Sequence, residues 1–157
     1  MTDVGDVFPE FTLPDENGEM FSNTSLSGVR YIVFFYSKDG TAGCTREAIE
    51  FNERYAKLMM MNTPVFGVSK DSSESHKKFR EKNGLRLKLL SDTDHVLMKK
   101  SGVWGTKKNY GKEYQGTIRT TFIVGKDGIV EAAWKNVKID GHAAKVHDTV
   151  KRLFDTQ

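Results

Sequence analysis

The chain has 157 residues, 38% of them hydrophobic and 29% charged, with a formal charge of +3 and one cysteine. That length suffices for one domain with a buried core, and the composition is ordinary for a globular protein. Basic residues are interleaved with acidic ones, which speaks against nucleic acid; no apolar run nears the ~20 residues of a membrane span; one cysteine excludes an internal disulfide.

The opening residues, Met1 to Asp6, lack the basic and apolar regions of a secretory signal, so a reducing, cytoplasmic home is expected. Residues 1–28 read as an extended arm. Phe8, Phe11 and Leu13 interleave with polar residues up to a turn at Pro14-Asp15-Glu16-Asn17-Gly18, and Glu19 to Phe21 is a returning strand. Ser25 to Gly28 is a short turn. Arg30 to Tyr36 is continuously apolar and rich in β-branched and aromatic residues, which predicts a strand buried on both faces. The period then changes. Cys44, Ala48, Phe51, Tyr55 and Leu58 form one stripe of a helix that starts near Cys44, with Arg46, Glu50, Glu53, Arg54 and Lys57 off it.

Pro64 to Ser69 is a second buried strand. Ser72 or Ser73 caps a polar helix that runs to Gly84. Lys88 to Ser91 is a short strand and His95 to Lys100 a short helix. Gly102 to Gly116, rich in glycine and lysine, reads as a long loop. Ile118 to Val124 and Ile129 to Trp134 are strands joined at Lys126-Asp127-Gly128, where Asp-Gly favours a hairpin turn. His142 to Phe154 is a closing helix with Ala143, Val146 and Val150 on one face. Strands alternating with helices argue for an α/β fold, a central sheet with helices on both faces. No repeat or linker divides the chain, so residues 1–157 read as a single domain.

The lone thiol lies where a buried strand hands over to a helix. A thiolate is the reactive form, and a free cysteine with a pKa near 8.5 is only ~3% ionised at pH 7. The first turn of a helix and a nearby guanidinium both favour the anion. Ionisation alone accelerates little. A fall of ~2.5 units multiplies the anion about thirty-fold. The loss of basicity then takes back roughly ten-fold at the Brønsted slope of thiol–disulfide exchange. A fast thiol nucleophile must therefore aim hydrogen-bond donors at the group on which charge develops as a bond breaks. Thr41 offers a hydroxyl, Gly43 and Cys44 offer N–H groups where the helix opens, and Gly40 and Gly43 allow a close backbone approach.

The segment Thr41-Ala42-Gly43-Cys44-Thr45-Arg46-Glu47-Ala48, preceded by Phe35-Tyr36, resembles the active-site segment of the peroxiredoxins. The bacterioferritin comigratory protein (PrxQ) branch is the nearest match. The likeness extends to Gly5 through Asp15, to Leu90-Ser91-Asp92, to Gly102-Val103-Trp104-Gly105 and to Thr117 through Phe122. It implies a thioredoxin-like fold, a central mixed β-sheet flanked by helices with an N-terminal β extension. It implies reduction of hydrogen peroxide or organic hydroperoxides, with Cys44 as the nucleophile that becomes a sulfenic acid. By the same resemblance Thr41 orients the peroxide, Arg119 stabilises the thiolate and the transferring oxygen, and Glu47 holds an arginine in place. Ser37 and Ala42 stand where prolines are found in the family, so a looser loop and a less shielded thiol are expected. Ile49 occupies the position where many members of the branch carry a resolving cysteine. The resemblance is thus to a one-cysteine form, recycled by an external thiol such as thioredoxin or glutathione. A monomer or weak homodimer is expected, because a half-buried thiol disfavours a Cys44–Cys44 bridge.

Taken singly, these residues have plainer readings. Cys44 could be a small core residue, Thr41 a helix cap, Glu47 first-turn helix chemistry, and Arg119 the partner of a surface carboxylate. No cofactor or metal is expected, because His142 and His147 are five apart and lack a third ligand nearby. A thioredoxin-like thiol oxidoreductase is the alternative enzyme, but the Cys-x-x-Cys pair is missing. A redox sensor signalling through oxidised Cys44 is the alternative outside catalysis.

Overall fold

The computed structural model describes residues 1–156. The arm forms a small antiparallel pair, β1 (Thr12–Pro14) and β2 (Met20–Ser22), followed by a 3-10 turn over Asn23–Leu26. The main sheet takes β3 (Tyr31–Phe35), β4 (Val65–Ser69), β5 (Lys88–Ser91), β8 (Thr120–Val124) and β9 (Val130–Lys135). Its order is β5-β4-β3-β8-β9. The links β3–β4 and β4–β5 are parallel, while β3–β8 and β8–β9 are antiparallel, so the sheet is mixed. Every residue of β3, β4 and β8 is buried, as the continuous apolar runs require.

Alternation along β3 feeds two cores. Ile32, Phe34 and Tyr36 point to the face covered by α1 (Ala42–Glu53), α2 (Tyr55–Met60), α3 (Ser73–Asn83) and α5 (His142–Asp155). Tyr31, Val33 and Phe35 point to the other face, where α4 (Val96–Ser101) and the arm's Phe8 and Phe11 close the second core. The expected helices on both faces are therefore present, but the second face needs the arm to complete it. No helix among the described residues is long and apolar enough to cross a membrane.

Several local expectations are met by named atoms. The Ser72 side chain caps α3 by accepting from the Ser75 N–H, and Gly84 ends that helix in the left-handed region at φ +61°. At Lys126-Asp127-Gly128 the Gly128 N–H donates to Gly125, and Asp127 accepts from the Ile129 N–H. Two expectations are overturned. The helix that carries Cys44 does not run unbroken. It stops at Arg54 (φ −100°, ψ 0°) and resumes as α2, although the apolar stripe continues through half-buried Tyr55 to buried Leu58. Nor is 102–116 a long loop. It holds an antiparallel hairpin, β6 (Trp104–Asn109) against β7 (Lys112–Thr117), turning at Tyr110-Gly111 with φ +52° and +77°. Two positive φ values in a two-residue connection suit the twist of a hairpin. Most of this ribbon is wet on both faces, so neither strand acquires an apolar alternation for the sequence to display.

Candidate active site

The parallel strand β3 ends at the edge where Tyr36 to Thr41 turn back into α1. Thr41 is the N-cap residue of α1 (φ −73°, ψ 149°), which makes Cys44 the third residue of its first turn. The first helical hydrogen bond runs from the Thr45 N–H to the Thr41 carbonyl at 2.9 Å. The N–H groups of Ala42, Gly43 and Cys44 therefore have no acceptor inside the helix, and they aim out of its N-terminus. Gly40 makes the preceding turn with φ +81°, a conformation costly for a residue with a Cβ.

Antiparallel pairing brings the second half of the site. Phe35 lies opposite Thr120, so the start of β8 stands beside the end of β3. Arg119, one residue ahead of β8, is thereby delivered to the helix mouth. Its Nη2 donates to Cys44 Sγ at 3.1 Å, and its Nη1 donates to Glu47 Oε1 at 2.6 Å. Cys44 and Glu47 sit one helical turn apart, on the α1 face turned toward Arg119. The planar guanidinium spans both with separate donors, which an ammonium could not do with fixed geometry. Burial acts to lower the pKa of Arg119, but the charges of Glu47 and Cys44 outweigh it and hold the guanidinium above its ordinary value.

Cys44 is 1% exposed. The shielding expected to suffer from Ser37 and Ala42 is intact, because the loop is fixed by side chains rather than by proline rings. Tyr36 Oη donates to Asp39 Oδ1 at 2.6 Å, and the Asp39 N–H donates to Asp71 Oδ2 at 2.7 Å. The thiol is enclosed while the guanidinium beside it still reaches solvent, its side chain being 18% exposed. On that outer side lies a cleft of about 470 Å³ lined by Lys107, Lys108, Ile118, Arg119 and Val137 among others.

Glu47 is also 1% exposed, and its Oε2 has no hydrogen-bond partner. Burial pushes its carboxyl up to about 7, against the pull of Arg119. Gly43 serves by what it lacks: a Cβ there would stand 3.1 Å from Ile139 Cδ1 and 3.6 Å from Arg119 Nη2. Thr41 lies at the rim. Its hydroxyl donates to the Lys38 carbonyl at 3.1 Å and caps no helix N–H, so its oxygen remains able to accept. Cys44, Glu47, Gly43 and Arg119 thus meet directly, and Thr41 borders them from the preceding turn.

Three further groups escaped sequence reading. His142, at the start of α5, meets Thr121 Oγ1 through its Nε2 at 2.8 Å in a buried contact, with its ring edge-on to Phe51 and Trp134. Burial first, then the charge of Arg119, press its pKa down to about 4, so it is a neutral ring at the back of the site. Ile139 packs against the helix mouth. Asp39 holds the loop. Nothing in local spacing could reveal the distant contacts of His142 with Thr121 and of Asp39 with Asp71, which join residues 21 and 32 positions apart.

An enclosed thiol at a helix N-terminus, charge-paired to an arginine delivered by an antiparallel neighbour strand, suits attack on a small electrophile. Comparison with known proteins agrees. Residues 4–133 match the model of the AhpC/TSA family. Peroxiredoxin Bcp of Bacillus subtilis (strain 168) is 38% identical over 153 residues, which cover 98% of each chain. A mutant PrxQ of Xylella fastidiosa superposes with a TM-score of 0.91 at 30% identity, covering 97% of both chains. The bacterioferritin comigratory protein of Xanthomonas campestris, a structure concerned with alkyl peroxide reduction, superposes at 0.89 with 32% identity and 98% coverage of both. With its thioredoxin-like sheet and its single cysteine at the mouth of α1, the chain belongs to the AhpC/TSA family, among the Bcp/PrxQ peroxiredoxins.

Proposed function

We infer that this protein is a thiol-dependent peroxidase in which Cys44 attacks hydrogen peroxide or an organic hydroperoxide. The contact of Arg119 Nη2 with Cys44 Sγ at 3.1 Å carries the reading, because it favours the thiolate and leaves a cation where charge develops. The sulfur supplies an electron pair to the terminal peroxide oxygen. The S–O bond forms as the O–O bond breaks, and the departing hydroxide or alkoxide takes a proton to leave as water or alcohol. Cys44 is left as a sulfenic acid.

In this reading Thr41 and the free N–H groups of the first turn receive the peroxide, Arg119 stabilises the transferring oxygen, and Glu47 and Gly43 fix the arginine. The neighbour studied for alkyl peroxide reduction, at 98% coverage, supports extending the substrate class to organic hydroperoxides. No second cysteine exists in the chain to resolve the sulfenic acid. Two external thiols return it to the thiol: the first displaces water to give a mixed disulfide, and the second releases Cys44 and a disulfide product. Residues 1–157 act as one peroxiredoxin domain, and a reducing compartment suits its unpaired thiol.

Stopped-flow measurement of peroxide consumption tests the assignment. Cys44→Ser is expected to abolish it, a loss of at least about 10³-fold, with the circular dichroism spectrum unchanged. Retained consumption by that variant would reject Cys44 as the nucleophile.

A further inference from the structure

The loop that leads into Thr41 is held from below by a buried cluster. Asp39 lies in that loop, two residues before Thr41. Its Oδ2 accepts from Ser75 Oγ at 2.8 Å and lies 2.7 Å from His76 Nδ1; its Oδ1 accepts from Tyr36 Oη at 2.6 Å. His76, on the first turns of α3, has no exposed surface, and its Nε2 lies 3.0 Å from the Leu90 carbonyl. A carbonyl can only accept, so Nε2 carries a hydrogen. Tyr36 Oη gives its own hydrogen to Asp39, so it cannot also donate to Nδ1. A proton therefore sits between Nδ1 and Oδ2, and the pair is electrically neutral as a unit.

Asp39, Asp71 and His76 approach one another closely enough to suggest metal ligands. Their acceptors are already turned to protons. Asp71 Oδ2 receives the Asp39 N–H at 2.7 Å and Ser69 Oγ at 2.9 Å, and both nitrogens of His76 are engaged. The cluster is satisfied as a hydrogen-bond network, and its product is the position of one loop.

We propose that Asp39, clamped by His76, Tyr36 and Ser75, is the positioning residue for the peroxide-receiving turn. The proposal rests on the peroxidase reading above. Neither Ser37 nor Ala42 restrains φ as a proline would. The restraint comes instead from three places: Tyr36 just past the end of β3, Ser75 and His76 on α3, and the Leu90 carbonyl of β5. Asp39 is thus fixed relative to the sheet, and Gly40 then sets the turn that presents Thr41 and the first N–H groups of α1. Burial acts to raise the pKa of Asp39, but its bonds to His76, Tyr36 and Ser75 outweigh that and hold the carboxyl below its usual range.

A positioning role separates two reactions of the same sulfur. Reaction with peroxide needs donors placed around the O–O bond, and about 1 Å of misplacement costs roughly 10²-fold. Alkylation by iodoacetamide needs the thiolate, which Arg119 supports from the other strand. In Asp39→Ala and in His76→Ala, the second-order rate with hydrogen peroxide is expected to fall at least about ten-fold, with alkylation within about two-fold of wild type. Asp39→Asn, which keeps an acceptor for Tyr36, is expected to recover most of the loss. Lys78→Ala removes a side chain on the exposed side of the same helix, away from Asp39, and it is expected to leave both rates unchanged.

A ¹⁵N spectrum of the histidine side chains supplies a readout independent of rate. His76 is expected to show two protonated nitrogens in the wild type and a single one in Asp39→Asn. Should Asp39→Ala fail to fold, Ser75→Ala tests the same ratio with the loss of one hydrogen bond. Unchanged peroxide rates, a parallel fall in alkylation, or an equal effect of Lys78→Ala would each overturn the proposal. Failure of the peroxidase reading is distinguishable, because wild-type protein would then react with peroxide no faster than Cys44→Ser.

Discussion

At the scale of single residues, one guanidinium serves two anionic partners. Arg119 is shared between Cys44 and Glu47, and Glu47 titrates near 7 because burial has pushed it there. As pH rises through that value, Glu47 becomes charged beside a forming thiolate and competes with it for Arg119. The rise of Cys44 reactivity with pH should therefore be flattened near 7, where ionisation of the carboxyl works against the thiolate. Glu47→Gln retains the shape and removes the titration. Its rate of alkylation, followed from pH 5.5 to 9, is expected to trace one ionisation. The same flattening near 7 in wild type and variant would show that Glu47 does not govern it. The unpartnered Oε2 explains why the group titrates so high: only one of its oxygens is compensated.

At the scale of elements, the site depends on how closely β3 and β4 pack beneath it. A Cβ at Gly67 would stand 2.8 Å from Phe34 Cζ and 3.0 Å from Tyr36 Cε1. Gly67 is therefore the gap in β4 that seats two rings of the core, one of which carries the hydroxyl that holds Asp39. Gly67→Ala is expected to lower stability by about 1–3 kcal/mol, read from the urea midpoint. An unchanged midpoint would mean that the rings step aside freely. Which elements the sequence revealed follows from the same physics. β3 and the first half of the Cys44 stripe were legible because burial dictates their residue types, and Ser72 and Gly84 because caps have local chemistry. The hairpin over 104–117 was not, since a ribbon wet on both sides carries no pattern. The stripe also hid the break at Arg54, because its side chains stay in register across it. Cys44 was legible as a lone thiol at a helix mouth. Arg119, 75 residues away, was legible only through a family likeness, and the clamp of Asp39 by His76 was not legible at all.

For the molecule as a whole, the buried titrating groups around the site act on stability in opposite directions. Glu47 has a folded value of about 7, above its value of 4.5 in a free chain. As pH falls from 7 toward 4.5, the folded state takes up the proton first, and stability is gained. His142 has a folded value of about 4, below 6.5. As pH falls from 6.5 toward 4, the unfolded chain takes up the proton first, and stability is lost. Between pH 7 and 5 the gain from Glu47 is about 2 kcal/mol, and the loss from His142, discounted for partial screening, is about 1–2 kcal/mol. The two largely offset one another, so the native protein holds its stability across a range in which Glu47 changes charge beside Arg119. Each variant should expose the other's slope. Glu47→Gln is expected to lose stability on acidification from pH 7 to 5 by about 1–2 kcal/mol more than wild type does. His142→Gln, which keeps a hydrogen bond within reach of Thr121, is expected to gain about 1–2 kcal/mol relative to wild type over the same interval. Urea unfolding at the two pH values measures both differences, and other titrating groups cancel in the comparison. Equal pH slopes in all three proteins would show that neither group is buried in the ionisation state that links the site to the fold.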